Sequence, residues 1–170
     1  VDRWNTGFIA MNTGTDLVFN IVEQRLTGRI DEVHIEAQAV SGGRAGSKAK
    51  GAVNQVLANN PYLTGVKKSD KTPGGAIPMR SFELRTHENR KNWIRLVPLK
   101  GENLGGRDGF AIHGRGQRGS DGCIVPTDFH NVLLIYKLVK AREDANKPAP
   151  TLAVVAIGDL TRYERLMNMA

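Results

Sequence analysis

What most limits the fold of this chain is a period of two. In "VHIEAQAV", Val33, Ile35, Ala37 and Ala39 alternate with polar neighbours, and "SFELRT" and "NWIRLVPL" alternate in the same way. Successive side chains of a strand point to opposite faces, so such segments need a sheet with one face covered and the other wet. "GFIAMNTGTDLVFNIV" adds two short strands around the turn Asn12-Thr13-Gly14-Thr15, "FAIH" a brief strand, and "TLAVVAI" a buried one. "HENRK", between the two middle strands, reads as a hairpin connection.

Three segments change period. In "SKAKGAVNQVLANNP", Ala49, Ala52, Val53, Val56 and Leu57 share one helical stripe, with Ser47 as N-cap and Asn59-Asn60-Pro61 as the stop. "TDFHNVLLIYKLVKARED" places Phe129, Val132, Leu133, Tyr136 and Val139 on one face. Thr127 or Asp128 starts it, and Lys137, Lys140 and Arg142 lie towards its end, the polarity a helix dipole favours. "GDLTRYERLMNM" reads as a terminal helix capped by Asp159. The stretch 61–78, dense in Gly, Pro, Lys and Ser, is a long loop. With neither repeat nor linker, the 170 residues are expected to form one domain, long enough to bury a core without disulfide or metal staples.

Lys and Arg number 24 against 17 Asp and Glu, and the net charge of +7 favours an anionic partner: nucleic acid, anionic lipid or an acidic polymer such as bacterial cell wall. Arg80, Arg85, Arg90, Lys91 and Arg95 are read as alternating with apolar residues in a strand-like region, as a solvated face would, and no compact basic block carries interleaved aromatics. A nucleic-acid partner is therefore not expected. The longest apolar runs, 132–138 and 152–157, are too short to cross a bilayer, so no membrane insertion is expected. The opening residues show no basic segment followed by an apolar one, and no secretory signal is read there.

The single cysteine rules out an internal disulfide and lies in "DGFAIHGRGQRGSDGC", residues 108–123. A free thiol with a pKa of about 8.5 is mostly protonated at neutral pH and needs a base or a positive field to become a nucleophile. His113 ends a strand, and Gly114, Gly116 and Gly119 permit the loop to return Cys123 beside it. The amides of Gly122 and Cys123 would then face a developing oxyanion. Arg115 and Arg118 either favour the thiolate and meet a substrate carboxylate or remain solvated. A backbone carbonyl or the Ser120 hydroxyl would fix the tautomer of His113. Two other readings stand beside this one. Cys123 is a structural thiol in a non-catalytic cell-wall or nucleic-acid binding module, or His113, Cys123 and His130 hold zinc, although no C-x-x-C or H-x-x-x-H spacing supports that. His34 and His87 read as solvated or hydrogen-bonded structural residues.

"IHG", a short loop and "S-x-G-C-I" resemble the signature of the L,D-transpeptidases, the YkuD-like peptidoglycan enzymes. The short His-to-Cys spacing, with "GRDGFAIHG" and "GSDGCIV", is most similar to the compact L,D-transpeptidase toxins of type VI secretion systems. "GGAIPMRSFEL" resembles the family's G-x-I-P-x-G-x-Y strand, with Arg80 where Gly is usual. Asp121 stands where the larger housekeeping enzymes commonly carry His, and Val125 where they often have Arg. The close match covers residues 73–126.

The resemblance implies an α+β domain: a β-rich L,D-transpeptidase-like sandwich with a few peripheral helices, its cleft floored by the His–Cys loop. It implies Cys123 as nucleophile, His113 as base, Ser120 and Gly122 as further catalytic-motif residues, and Arg107, Arg115, Arg118 and Asp121 as substrate-binding residues, with no metal or cofactor. The implied reaction is acyl transfer on peptidoglycan stem peptides, releasing the terminal D-alanine from the third-position diamino acid. Water, a D-amino acid or a second stem peptide is the acceptor. The implied setting is a monomer in the bacterial periplasm, either a secreted antibacterial effector with an immunity protein that plugs the cleft or a housekeeping enzyme.

Overall fold

The structure is a computed structural model that describes residues 13–44, 53–69, 72–114 and 120–168. Among them, eight strands form one closed barrel in the order β1-β2-β3-β7-β6-β5-β4-β8. The strands are β1 (Leu17–Asn20), β2 (Arg25–Ile30), β3 (Val33–Ser41), β4 (Ser81–Thr86), β5 (Ile94–Pro98), β6 (Ala111–Ile112), β7 (Ile124–Pro126) and β8 (Thr151–Val155). Neighbours are antiparallel except β1 with β8 and β6 with β7.

The alternation read in the sequence is what lets the sheet close. In β3, Ile35, Ala37 and Ala39 are buried while His34, Glu36 and Gln38 are exposed. Phe19, Phe82, Leu84, Ile94, Ile112, Ile124 and Leu152, from six of the strands, belong to one core cluster. Phe82 and Phe110 meet edge to face at 6.4 Å, the geometry that ring quadrupoles favour. Where a sandwich was expected, the parallel pairing Leu17–Leu152 closes the strand order of the described residues into a barrel. The coarser expectation, a β-rich α+β protein, describes the molecule.

Helix α1 (Phe129–Asp144) lies chiefly against β4. Asp128 caps it, its carboxylate accepting from the His130 amide at 2.9 Å. The buried face is Val132, Ile135 and Val139, with Phe129 and Leu133 more than a third exposed. Val132 and Val139 of the expected stripe are buried and Tyr136 packs against the core, while Ile135 takes the inward place expected for Phe129 and Leu133, because the segment is apolar on several sides and docking selects the face. Near its C-terminus Glu143 accepts from the Thr86 amide at 2.9 Å and the Thr86 hydroxyl at 2.6 Å, tying the helix to the end of β4.

The expected helix over 47–58 falls partly outside the described residues, as does the first strand of the chain. Its described part is a single turn, in which the Asn54 side chain accepts from Val56 and Leu57 amides at 3.0 and 3.1 Å. Val56, placed on the apolar stripe, is 43% exposed, so the stripe is not buried as a unit. Helix α2 (Thr161–Leu166) has Leu160 rather than the expected Asp159 at its N-cap, with no side-chain cap bond there; Asp159, one residue earlier, accepts from the Thr161 amide at 2.9 Å.

Candidate active site

The candidate site is built where β6 and β7 run side by side. They pair at Ile112 and Ile124, both fully buried in the core. Alternation then turns the flanking residues Ala111, His113 and Cys123 to the opposite face, away from those two isoleucines. The His113 amide continues the ladder, donating to Ile124 O at 3.2 Å. His113 and Cys123 both line a cleft of about 890 Å³.

Inside this cleft the two groups are held separately. His113 Nδ1 lies 2.9 Å from Gly114 O. A carbonyl can only accept, so Nδ1 carries the proton and Nε2 keeps a lone pair for use as a base. Of the two orienting partners left open by the sequence, the backbone carbonyl holds the ring. Cys123 Sγ donates a long hydrogen bond to Gly109 O at 3.9 Å. Burial is the main force lowering the His113 pKa, helped by the charges of Arg90 and Arg44 and opposed by the Gly114 carbonyl. Burial likewise pushes the Cys123 thiol up to about 11, and Asp121 adds to the rise. A backbone hydrogen bond at Ala111 and the charges of Arg90 and Arg107 oppose it. Among the described residues, burial therefore favours the neutral form of both the thiol and the imidazole.

Trp93 supplies the wall behind the base. Extending the β5–β6 register, in which Ile94 faces Ile112, sets Trp93 opposite His113, and the two rings stack 4.1 Å apart at 11°. Arg90 lies over the indole at 4.4 Å, a cation–π contact that fixes the guanidinium without neutralising it. His87 caps the hairpin, its Nδ1 accepting from Asn89 and Arg90 amides at 3.0 and 3.1 Å, and touches Trp93 edge-on. The structural role expected for His87 fits these contacts.

Several residues expected at the chemistry instead build the loop. The Ser120 hydroxyl donates to Cys123 O at 2.7 Å and accepts from Gly42 and Gly122 amides at 3.0 and 3.3 Å. It staples the cysteine turn to β3's end and does not orient His113. The same contact turns the Gly122 amide towards Ser120, so the expected Gly122–Cys123 oxyanion pair is reduced to the Cys123 amide. Gly122 is required for space: with φ +121, a Cβ there would lie 2.5 Å from Arg107 Nη2.

Arg107, expected to grip substrate, is buried, and its guanidinium donates to the carbonyls of Thr64, Ala76, Gly75 and Asp121. It ties the long 61–78 loop to the cysteine turn and adds positive potential near the thiol. Asp121 faces the cleft, its Oδ2 between Arg44 at 3.4 Å and Lys68 at 3.7 Å and its Oδ1 accepting from the Gly74 amide at 3.3 Å. Arg115 and Arg118 lie outside the described residues, as do Gly116 and Gly119. His130 is 92% exposed on α1 and bonded to Asp128 at 3.0 Å, and it is not among the residues that line the cleft.

Arg44, Lys67, Lys68, Arg90 and Trp93 line the cleft without having been singled out as site residues. The solvated-face reading of Arg90 and Arg95 missed that both turn into it. Their only sequence signal was positive charge, since four separate segments must meet before a cleft exists. Comparison with protein-family models and with curated proteins finds no match for this chain.

Proposed function

We propose that the chain is a cysteine acyltransferase of the L,D-transpeptidase kind, acting on peptidoglycan stem peptides. The observation that carries this reading is that His113, with Nδ1 committed to Gly114 O, and Cys123 wall one cleft. The motif resemblance over residues 73–126 supplies the substrate class. In the proposed cycle the thiol proton moves to His113 Nε2 as sulfur attacks the carbonyl of the third-position diamino acid. The C–N bond to D-alanine breaks, its nitrogen takes the proton from the imidazolium, and an acyl-thioester remains. An acceptor, whether water, a D-amino acid or a second stem amine, gives a proton to His113 and its nucleophilic atom to the acyl carbon, restoring the thiol. Because burial favours both neutral forms, the thiolate forms during attack, with the charges of Arg90 and Arg107 favouring it. The proposed setting is the periplasm, reached by secretion as an effector or by export as a housekeeping enzyme. A partner that inserts into the cleft would inhibit it.

A non-catalytic binding module is the second reading, favoured by the raised thiol pKa and by the Gly109 contact of Sγ. Mass spectrometry of disaccharide-tetrapeptide incubated with the wild type and with Cys123→Ala separates the two. Loss of terminal D-alanine, its exchange, or a cross-linked dimer with the wild type alone supports catalysis; unchanged substrate with folded protein supports the binding module.

A further inference from the structure

The charge of the cleft is lopsided. Six cationic side chains line it among the described residues, Arg44, Lys67, Lys68, Arg90, Arg95 and Arg107, against the two carboxylates of Asp108 and Asp121. Two of the six are committed elsewhere: Arg107 to backbone carbonyls, and Arg95 to Glu88 on the hairpin. Arg44 and Lys68 converge on a single carboxylate oxygen of Asp121 at 3.4 and 3.7 Å, longer than a tight charged pair, so both keep donor capacity. Their side chains are 55% and 65% exposed, and Lys67 beside them is exposed. Arg90 is held by the Trp93 face on the side of the base. Cations therefore flank the His113–Cys123 floor, in a half-enclosed space where field lines concentrate.

We propose that Arg44, Lys67, Lys68 and Arg90 form an anion subsite that receives the free carboxylates of the peptide flanking the scissile carbonyl. The chain then selects peptides whose carboxylates are free over the same peptides carrying carboxamides. This rests on the acyltransferase reading of the site. A carboxylate offers charge and two acceptor oxygens to such donors, whereas a carboxamide has no charge and turns a donor towards cations. Exposed single pairs are weak, so discrimination comes from several cations acting on more than one carboxylate.

The test is calorimetric binding to Cys123→Ala of two probes: a stem tetrapeptide ending in D-alanine with all carboxylates free, and the same peptide fully amidated. The free peptide is expected to bind about tenfold tighter or more, the scale of one charge-assisted contact. The gap should narrow with added salt and in the Lys67→Gln/Lys68→Gln double variant, whose exposed side chains leave the core untouched. Equal affinities, no binding of either peptide, or a gap unmoved by the double variant would overturn the subsite. Wild-type turnover of the same peptides, followed by mass spectrometry, reads the parent reading separately. Discriminating binding without turnover sinks the acyltransfer and keeps the subsite, while turnover blind to amidation does the reverse.

Discussion

At the residue scale the thiol and the imidazole are tuned against ionisation by the same burial that holds them. Cys123, with its pKa raised to about 11, should be alkylated by iodoacetamide with a midpoint well above that of a free thiol. Rapid Cys123 labelling below pH 8 would show that the resting pair is already ionic. The sign for stability follows: the thiol is favoured protonated in the fold, so its contribution is complete below the unfolded pKa and lost as pH rises through about 11. His113 works oppositely. Its folded pKa is lowered, so its contribution is present above pH ~6.5 and lost as pH falls through the depressed value. In Trp93→Ala, water reaches the ring that the indole now covers, and the acid limb of kcat/KM should move up towards the ordinary histidine range. An unmoved limb with lower kcat would assign Trp93 to packing alone.

At the scale of elements, the site depends on how closely α1 and the cysteine turn approach β6. Gly114 shows this: a Cβ added there would lie 2.2 Å from the Phe129 ring at the start of α1. Glycine is needed at that position for close approach, whereas the loop reading valued it for backbone freedom. Gly114→Ala should destabilise by about 1–3 kcal/mol, read from the urea midpoint. Truncating the obstacle in Gly114→Ala/Phe129→Ala should recover part of the loss, a non-additivity that separates the clash from a backbone effect. Ser120 and Arg107 act at this scale too, fastening the loop that carries Cys123 to β3's end and to the 61–78 loop.

At the scale of the molecule, closure makes distant strands interdependent. Leu152 in β8 is fully buried and pairs with Leu17 on one side and Phe82 on the other, joining the first strand to the fourth. Leu152→Ala should cost about 2–5 kcal/mol. Because the transition is expected to be cooperative, Cys123 labelling in denaturant should follow the same midpoint as the circular dichroism signal. Labelling at much lower denaturant would show that the cleft opens independently of the barrel.

Local periodicity determined β1, β3, β4, β5, β6 and β8, the β4–β5 hairpin, the position of α1 and its Asp128 cap, because spacing and capping act over a few residues of chain, whereas β7 left no such signal. The nucleophile-and-base reading of His113 and Cys123 was likewise carried by composition and spacing within one loop. Tertiary structure alone decided that the sheet closes, since the β1–β8 register joins residues 135 apart. It decided which face of α1 is buried, because helical spacing permits more than one. It also stacked Trp93 on His113, gathered the cations of the cleft, and turned Ser120, Gly122 and Arg107 into scaffold. Those roles depend on which donors and acceptors meet after distant segments pack, and pairwise chemistry of that kind leaves no trace in the order of residues along the chain.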